Sequence, residues 1–334
     1  MALRWGIAGA GRISHDFVAA LTVLPTSDHQ VVAVAAGSKV RASQFAWDHD
    51  IPRSYEGYEG LARDAEVDIV YVGNLNTQHF DTTKLMLENR KHVLCEKPFT
   101  LNEKQTRKLV QIARERKLFL MEAVWSRCFP AYKEMRRLVD AGVVLFASVH
   151  FGHALQHVER LTALRMGGGA ILDLGVYILQ FQQYAFRGLK PEKIVVNGHL
   201  NDSGTDESCG AVITYPDGKL AIVSTSARVS LPNEGIVVGT KGILRLPDFW
   251  CPDKLVTPFG VVEFPLPETE EQVFFHKNSV GLAYEGEEAR QCILAGKLES
   301  PCIPHEESIE LARLMDYLRK EMGVAYPEDF QDVS

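Results

Sequence analysis

Three stretches of this 334-residue chain carry residues whose types and spacing could do chemistry. The first is Lys91-His92-Val93-Leu94-Cys95-Glu96-Lys97-Pro98. Val93 and Leu94 read as a buried strand, and Pro98, with no N–H to give a sheet, stops it there. Lys97 is thereby held at a strand's carboxyl end, the edge of an open α/β sheet where ligands bind. Taken alone, such a lysine could equally be a solvated cap. The second stretch is Gly9-Ala10-Gly11-Arg12-Ile13-Ser14, at the end of the apolar run 3–8. Gly9 permits a tight turn, and Gly11 lets the backbone approach a pyrophosphate at the positive end of the next helix. Ser14 replaces a third glycine and is small enough for close packing. The third is Gly167-Gly168-Gly169-Ala170-Ile171-Leu172-Asp173-Leu174-Gly175-Val176-Tyr177. On a helix, Asp173 and Tyr177, four apart, share one face. By themselves they would be a satisfied aspartate and a core tyrosine.

The elements that must position these residues follow a rhythm. Strand 3–8, a helix carrying Phe17, Leu21 and Leu24, and strand 31–36 make a βαβ unit around the glycine turn. After the second strand comes Gly37-Ser38-Lys39-Val40-Arg41, with no carboxylate before Asp48. A ribose 2′-hydroxyl is met by Asp or Glu at that place and a 2′-phosphate by donors and positive charge, so NADP is expected rather than NAD. Strand 68–72, a helix through His79, the lysine strand, a helix from 102 to 116 and strand 119–121 continue the alternation, which implies a doubly wound parallel sheet. This first, dinucleotide-binding domain is expected to span residues 1–122. From 123 to 334 the pattern changes to repeated strands at 145–152, 193–199, 208–215, 219–228, 234–239 and 243–246. Pro216-Asp217-Gly218 and Thr240-Lys241-Gly242 are hairpin signals between them. The expectation is a substrate-binding and dimerisation domain of α/β type with an open, mainly antiparallel sheet, and helices near 279–296 and 305–322.

Composition bounds the partners. Hydrophobic content of 46% and charged content of 24% are those of an ordinary globular protein. A formal charge of −7 argues against nucleic acid. Six scattered cysteines form neither a zinc pattern nor a disulfide framework, so no metal is expected and the thiols fit a reducing compartment. No apolar run approaches the ~20 residues of a membrane span, and Arg4 interrupts any signal-peptide core. The expected address is the cytosol.

Gly9-Ala10-Gly11, Cys95-Glu96-Lys97-Pro98, Gly168-Gly169 through Tyr177, and Gly239-Thr240-Lys241-Gly242 together resemble, in order, the Gfo/Idh/MocA oxidoreductases. Met121 to Pro130 and Tyr177 resemble most the animal dimeric branch that oxidises dihydrodiols and D-xylose with NADP. The resemblance implies hydride transfer between NADP and a secondary alcohol of a trans-dihydrodiol or cyclic sugar. It implies Lys97 beside the nicotinamide and the reacting hydroxyl, Tyr177 as acid/base and Asp173 holding substrate or tuning its neighbours. A group must accept the hydroxyl proton as hydride leaves, and an ammonium beside a tyrosine favours its phenolate. The cofactor site would comprise Gly9, Ala10, Gly11, Arg12 and Ile13 at the glycine turn. Ser38, Lys39 and Arg41 would take the phosphate, with Asn74, Asn76, His79, Glu96, Lys97, Trp125 and Arg127 along the cleft.

Aromatic residues that should converge form the expected pocket: Trp125, Phe151, His153, Trp250 and Phe275, beside Asp173 and Tyr177. Flat apolar walls would take a ring face and favour a dihydrodiol over an aldose. Neighbouring apolar residues in Ala211-Val212-Ile213-Thr214-Tyr215 and Leu220-Ala221-Ile222-Val223 give both strand faces hydrophobic side chains, which implies a homodimer through that sheet.

Three departures from the family pattern stand out. Gly37 replaces an arginine usual in the animal enzymes, Asn76 replaces a frequent histidine and leaves His79 as the nearest imidazole, and the connection 141–145 is short, which leaves the register of the next strand open. The rival readings are a sugar dehydrogenase or keto-sugar reductase and a silent NADP-binding sensor; the paired Lys97 and Tyr177 speak against the sensor.

Overall fold

The computed structural model describes residues 2–269 and 272–333. The chain forms two compact units, one of residues 1–100, 104–128 and 266–308, the other of 101–103, 129–265 and 309–334.

In the first unit, strands β1 (Leu3–Ala8), β2 (His29–Ala36), β3 (Arg53–Glu56), β4 (Ile69–Val72), β5 (His92–Glu96) and β6 (Leu120–Ala123) form one sheet in the order β3-β2-β1-β4-β5-β6. All its pairings are parallel. Strand order reverses at β1, so β1 and β4 diverge into helices on opposite sides, the place where such sheets bind ligands. Helices α1 (Arg12–Leu21), α2 (Lys39–Asp48), α3 (Glu59–Arg63), α4 (Asn76–Glu88) and α5 (Glu103–Arg116) follow successive strands. The central strands are buried on both faces, Trp5, Ile7, Tyr71, Val93 and Leu94 completely so, which explains why they read as unbroken apolar runs.

The second unit carries α6 (Pro130–Asp140), β7 (Val144–Gly152), α7 (Glu159–Thr162), α8 (Val176–Ala185) and strands β8 (Lys193–Leu200), β9 (Asp206–Tyr215), β10 (Lys219–Ser226), β11 (Glu234–Gly239), β12 (Gly242–Pro247), β13 (Lys254–Thr257) and β14 (Gly260–Glu263). Their order is β14-β13-β12-β11-β7-β10-β9-β8. Both hairpin signals join antiparallel pairs, β9–β10 and β11–β12. One pairing, β7 with β10, is parallel, making the sheet mixed. The short connection before β7 is stitched to the β11–β12 turn: the Thr240 N–H donates to the Val143 carbonyl at 3.0 Å, and the Val143 N–H to the Thr240 hydroxyl at 3.1 Å. That fixes the register left open by the sequence, with Val144 opposite Gly239.

The compact units depart from a single boundary at 122. Residues 266–308, including α9 (Leu282–Leu294) and the start of α10 (His305–Glu321), belong to the first unit. The physical reason is buried polar bonding. Asp16, fully enclosed on α1, is hydrogen-bonded by the Ser279 hydroxyl at 2.7 Å, and the ring of His29 meets Glu287 on α9 at 2.8 Å. Among the described residues, no helix is long and apolar enough to cross a membrane, and no group of His, Cys, Asp and Glu could hold a metal ion.

Candidate active site

The glycine turn of the first unit is built for close approach. Gly9 has φ +115°, and a Cβ there would lie 2.8 Å from the backbone of Gly73 and Asn74. Ser14 lies against Gly73, where an added Cβ would stand 2.6 Å from the Ser14 hydroxyl. The close contact usually provided by a third glycine is thus achieved by a glycine on the facing strand end. Helix α1 starts at Arg12 with Gly11 as N-cap, no side-chain cap and no acid in its first turn, leaving its positive end uncompensated. Ser38, N-cap of α2, likewise makes no side-chain cap bond. The Arg41 guanidinium donates to the Ala10 carbonyl at 3.1 Å, and Lys39 donates to the Ser54 carbonyl at 2.7 Å. A Cβ at Gly37 would meet nothing within 4 Å, so the missing arginine leaves open space. These features fit a nicotinamide dinucleotide.

Lys97 follows β5 directly, and the Lys97–Pro98 peptide bond is cis. Its N–H donates to Glu96 Oε2 at 3.2 Å, while the Tyr71 hydroxyl holds Glu96 Oε1. Burial pushes the Glu96 carboxyl upward in pKa against the pull of Tyr71 and Lys97. His79 on α4 is buried, with Nδ1 2.8 Å from the Pro98 carbonyl and Nε2 3.3 Å from that of Asn74. Burial lowers its pKa to about 4, so the ring is neutral at ordinary pH. Asn74 donates to the Thr82 hydroxyl at 2.8 Å, and Asn76 begins α4 with its Oδ1 accepting from the Thr77 N–H at 3.0 Å.

Two expected cofactor residues lie inside the first unit. Trp125 is buried in the turn after β6. Arg127 is 1% exposed, its guanidinium donating to Glu307 at 2.8 Å and to the Cys302 carbonyl at 3.3 Å. Those bonds make Arg127 an internal strut. Nearby Glu122 accepts the Phe99 N–H at 3.0 Å, and burial pushes its carboxyl up to about 7.

In the second unit, Asp173 and Tyr177 flank a junction. Residues Ile171–Gly175 form a π turn that runs into α8. Gly167 and Gly169 have φ +66° and +145°, and a Cβ at Gly169 would sit 2.3 Å from the buried Asp206. The Asp206 carboxylate accepts the Ile171 N–H at 2.6 Å, and the Tyr326 hydroxyl donates to the Gly168 carbonyl at 2.6 Å, so the glycine run is clamped from two sides. Asp173 is paired with Arg160 at 3.1 Å. Tyr177 is 7% exposed, its ring edge-on to Phe151 with centroids 5.4 Å apart. Phe151 also meets Trp250 at 4.7 Å and His153 at 5.2 Å, and His153 meets Trp250 at 5.6 Å. Four of the expected pocket residues are thus one aromatic cluster.

Phe275 belongs to the first unit, with its ring 4.9 Å from that of His15 and 5.3 Å from the Arg12 guanidinium. Arg160, Asp206 and Asp16 were not singled out from sequence; each is an isolated charge whose partner is remote in the chain or hidden in the fold. A mostly apolar cavity of about 190 Å³, lined by Leu138, Val143, Val237, Leu244 and Pro258 among others, contains none of the expected site residues.

A parallel sheet whose switch point carries a glycine turn, with a lysine at a neighbouring strand end, defines a Rossmann-type oxidoreductase. Residues 3–124 match the oxidoreductase family model described as GFO/IDH/MocA, NAD-binding Rossmann fold, and residues 132–245 match the GFO/IDH/MocA C-terminal domain. The chain belongs to the GFO/IDH/MocA family of oxidoreductases. It is 44% identical to a trans-1,2-dihydrobenzene-1,2-diol dehydrogenase of Danio rerio, over 99% of this chain and 100% of that one. It is 43% identical to one of Homo sapiens, over 98% and 99%. Among solved structures, a 3-ketoreductase from Actinomadura kijaniata in complex with NADP and TDP-benzene is similar with a TM-score of 0.78 and 25% identity, covering 96% of this chain and 98% of that one.

Proposed function

We propose that this protein is an NADP-dependent dehydrogenase that oxidises a secondary alcohol of a trans-dihydrodiol. The observation that carries the reading is the aromatic cluster in which Phe151 stands edge-on to Tyr177 and meets His153 and Trp250, apolar rings next to a residue that bears a hydroxyl. A ring stripped of most hydroxyls buries apolar area there, at ~25 cal/mol per Å², without orphaning polar groups. The similarity to dihydrodiol dehydrogenases supports the same substrate class.

The preference for NADP rests on Arg41 at the Ala10 carbonyl, the uncapped Ser38 and the absence of an acid in the first turn of α2. Bound NADP would supply the hydride acceptor. The chain's own residues handle the proton: Tyr177 Oη takes it from the substrate hydroxyl as the C–H bond breaks. The family resemblance assigns Lys97 to the same proton path, where an ammonium would favour a phenolate. Asp173, oriented by Arg160, accepts from a substrate hydroxyl. Lys97 itself is set by the Glu96 bond on one side and the His79 brace on the other.

Assembly as a cytosolic homodimer completes the proposal. Val195, Val212 and Ile222 stand side by side in one row across β8, β9 and β10, all exposed, and that row runs on through Ser148 and Ile236. Contiguous apolar surface of this kind is covered by a partner in soluble proteins.

The test is a ratio of specificity constants with NADP. A benzene or naphthalene trans-dihydrodiol should be turned over with a higher kcat/KM than D-xylose, and Trp250→Ala should lower that ratio by about tenfold, the worth of ~1.4 kcal/mol of apolar contact. A higher constant for D-xylose would instead support a sugar dehydrogenase.

A further inference from the structure

We propose that residues 273–279 form a strap that holds the Arg12 guanidinium toward the cofactor's pyrophosphate, with Asp16 as the positioning residue that anchors it. The inference rests on the reading of the Gly9–Ser14 turn as a dinucleotide site.

Arg12 is the first residue of α1, and Asp16 lies one turn further along the same helix. Asp16 is completely buried, yet it is oversupplied with donors from a segment more than 250 residues away. Its Oδ1 accepts the Phe275 N–H at 2.8 Å; its Oδ2 accepts the His276 N–H at 3.0 Å, His276 Nδ1 at 2.8 Å and the Ser279 hydroxyl at 2.7 Å. One residue earlier, His15 Nε2 lies 2.9 Å from the Val273 carbonyl. Five polar contacts thus tie seven residues to the helix that starts at the glycine turn.

A tie made only to close the core would turn the apolar side chains of the segment inward. Here Val273 and Phe275 remain 74% and 54% exposed. The Phe275 ring instead stands edge-on to His15 and lies under the Arg12 guanidinium at 5.3 Å. Among the described residues no carboxylate pairs with Arg12. A ring face orients a guanidinium without neutralising it, so the full positive charge stays available for an anion, which an ion pair would have spent. The uncapped positive end of α1 faces the same anion from the backbone side. Asp16 fixes the strap, the strap fixes Phe275, and Phe275 fixes where the Arg12 charge points.

Binding of two ligands separates this from a general structural role. NADP contains the pyrophosphate; adenosine 2′-monophosphate keeps the adenosine and its 2′-phosphate and carries no phosphate at the 5′ position. By calorimetry, Phe275→Ala and His276→Ala should each raise the Kd of NADP about tenfold, within the range for one charge-assisted phosphate contact, and leave that of the monophosphate unchanged. Phe275→Tyr, which keeps the ring face, should retain native affinity. Asp16→Asn, which offers one acceptor oxygen where the carboxylate offers two, should match His276→Ala if it folds; the half-exposed Phe275 and His276 carry the test if it does not. Unchanged NADP affinity, or equal weakening of both ligands, overturns the strap. A native protein that binds neither ligand overturns the dinucleotide reading itself, and the strap with it.

Discussion

His79 Nδ1 lies 2.8 Å from the carbonyl oxygen of Pro98, so a neutral imidazole on α4 braces the turn that presents Lys97. The ring is enclosed and its pKa is depressed to about 4 from an ordinary 6.5. A depressed base binds its proton more weakly folded than unfolded. Its contribution is therefore full above about pH 6.5 and is lost as the pH falls toward about 4, an upper bound of roughly 3 kcal/mol. His79→Gln keeps a side-chain amide donor and removes the titration. Urea unfolding of both proteins should show the wild type losing stability relative to the variant across that window. A stability difference that stays constant on acidification would contradict the assignment.

Cofactor choice is testable at Arg41, whose guanidinium reaches the Ala10 carbonyl of the glycine turn. Arg41→Ala should weaken NADP by about ten- to hundredfold, the ~1.5–3 kcal/mol of a charge-assisted contact, and alter NAD by less than about twofold. Equal dissociation constants for the two cofactors in the native protein would rule out a phosphate-selective site.

Lys97 and Tyr177 should behave as one catalytic unit. Lys97→Met and Tyr177→Phe should each lower kcat by about 10²–10⁴, the usual worth of acid/base catalysis, with folding and much of the cofactor binding retained. Because one proton path uses both, the double variant should be little slower than either single one. Multiplicative losses in steady-state rates would show that the two act independently.

The exposed row on the second unit's sheet predicts the assembly. Val212→Glu with Ile222→Lys should convert a dimer into a monomer by light scattering at micromolar protein, because charges replace the apolar centre of the contact. A native protein that is monomeric there would exclude this interface, and so would a dimer indifferent to both changes.

Much of this protein was legible in the sequence because short-range sterics decide it. A glycine at position 9 is required by a φ of +115°, and Pro98 has to end β5. The hairpins at Pro216–Gly218 and Thr240–Gly242 need only local turn chemistry, and the parallel sheet follows from alternating strands and helices. Lys97 was placed by that rhythm, and the fourfold spacing of Asp173 and Tyr177 by helical period, although a π turn rather than a plain α-helix carries Asp173. What only the tertiary structure decided is where distant polar groups find one another. The return of residues 266–308 to the first unit, the bonding of Asp16 to Phe275 and His276, and the pairing of Arg127 with Glu307 leave no periodic mark. The same holds for Arg160 on Asp173 and for Asp206 beneath the glycine run. Hydrophobic pattern reports which face of an element is buried; it does not report which single acceptor meets which donor. A buried carboxylate such as Asp16 is tolerable only once its donors have been delivered by the fold, and chain separation hides those donors until the fold exists.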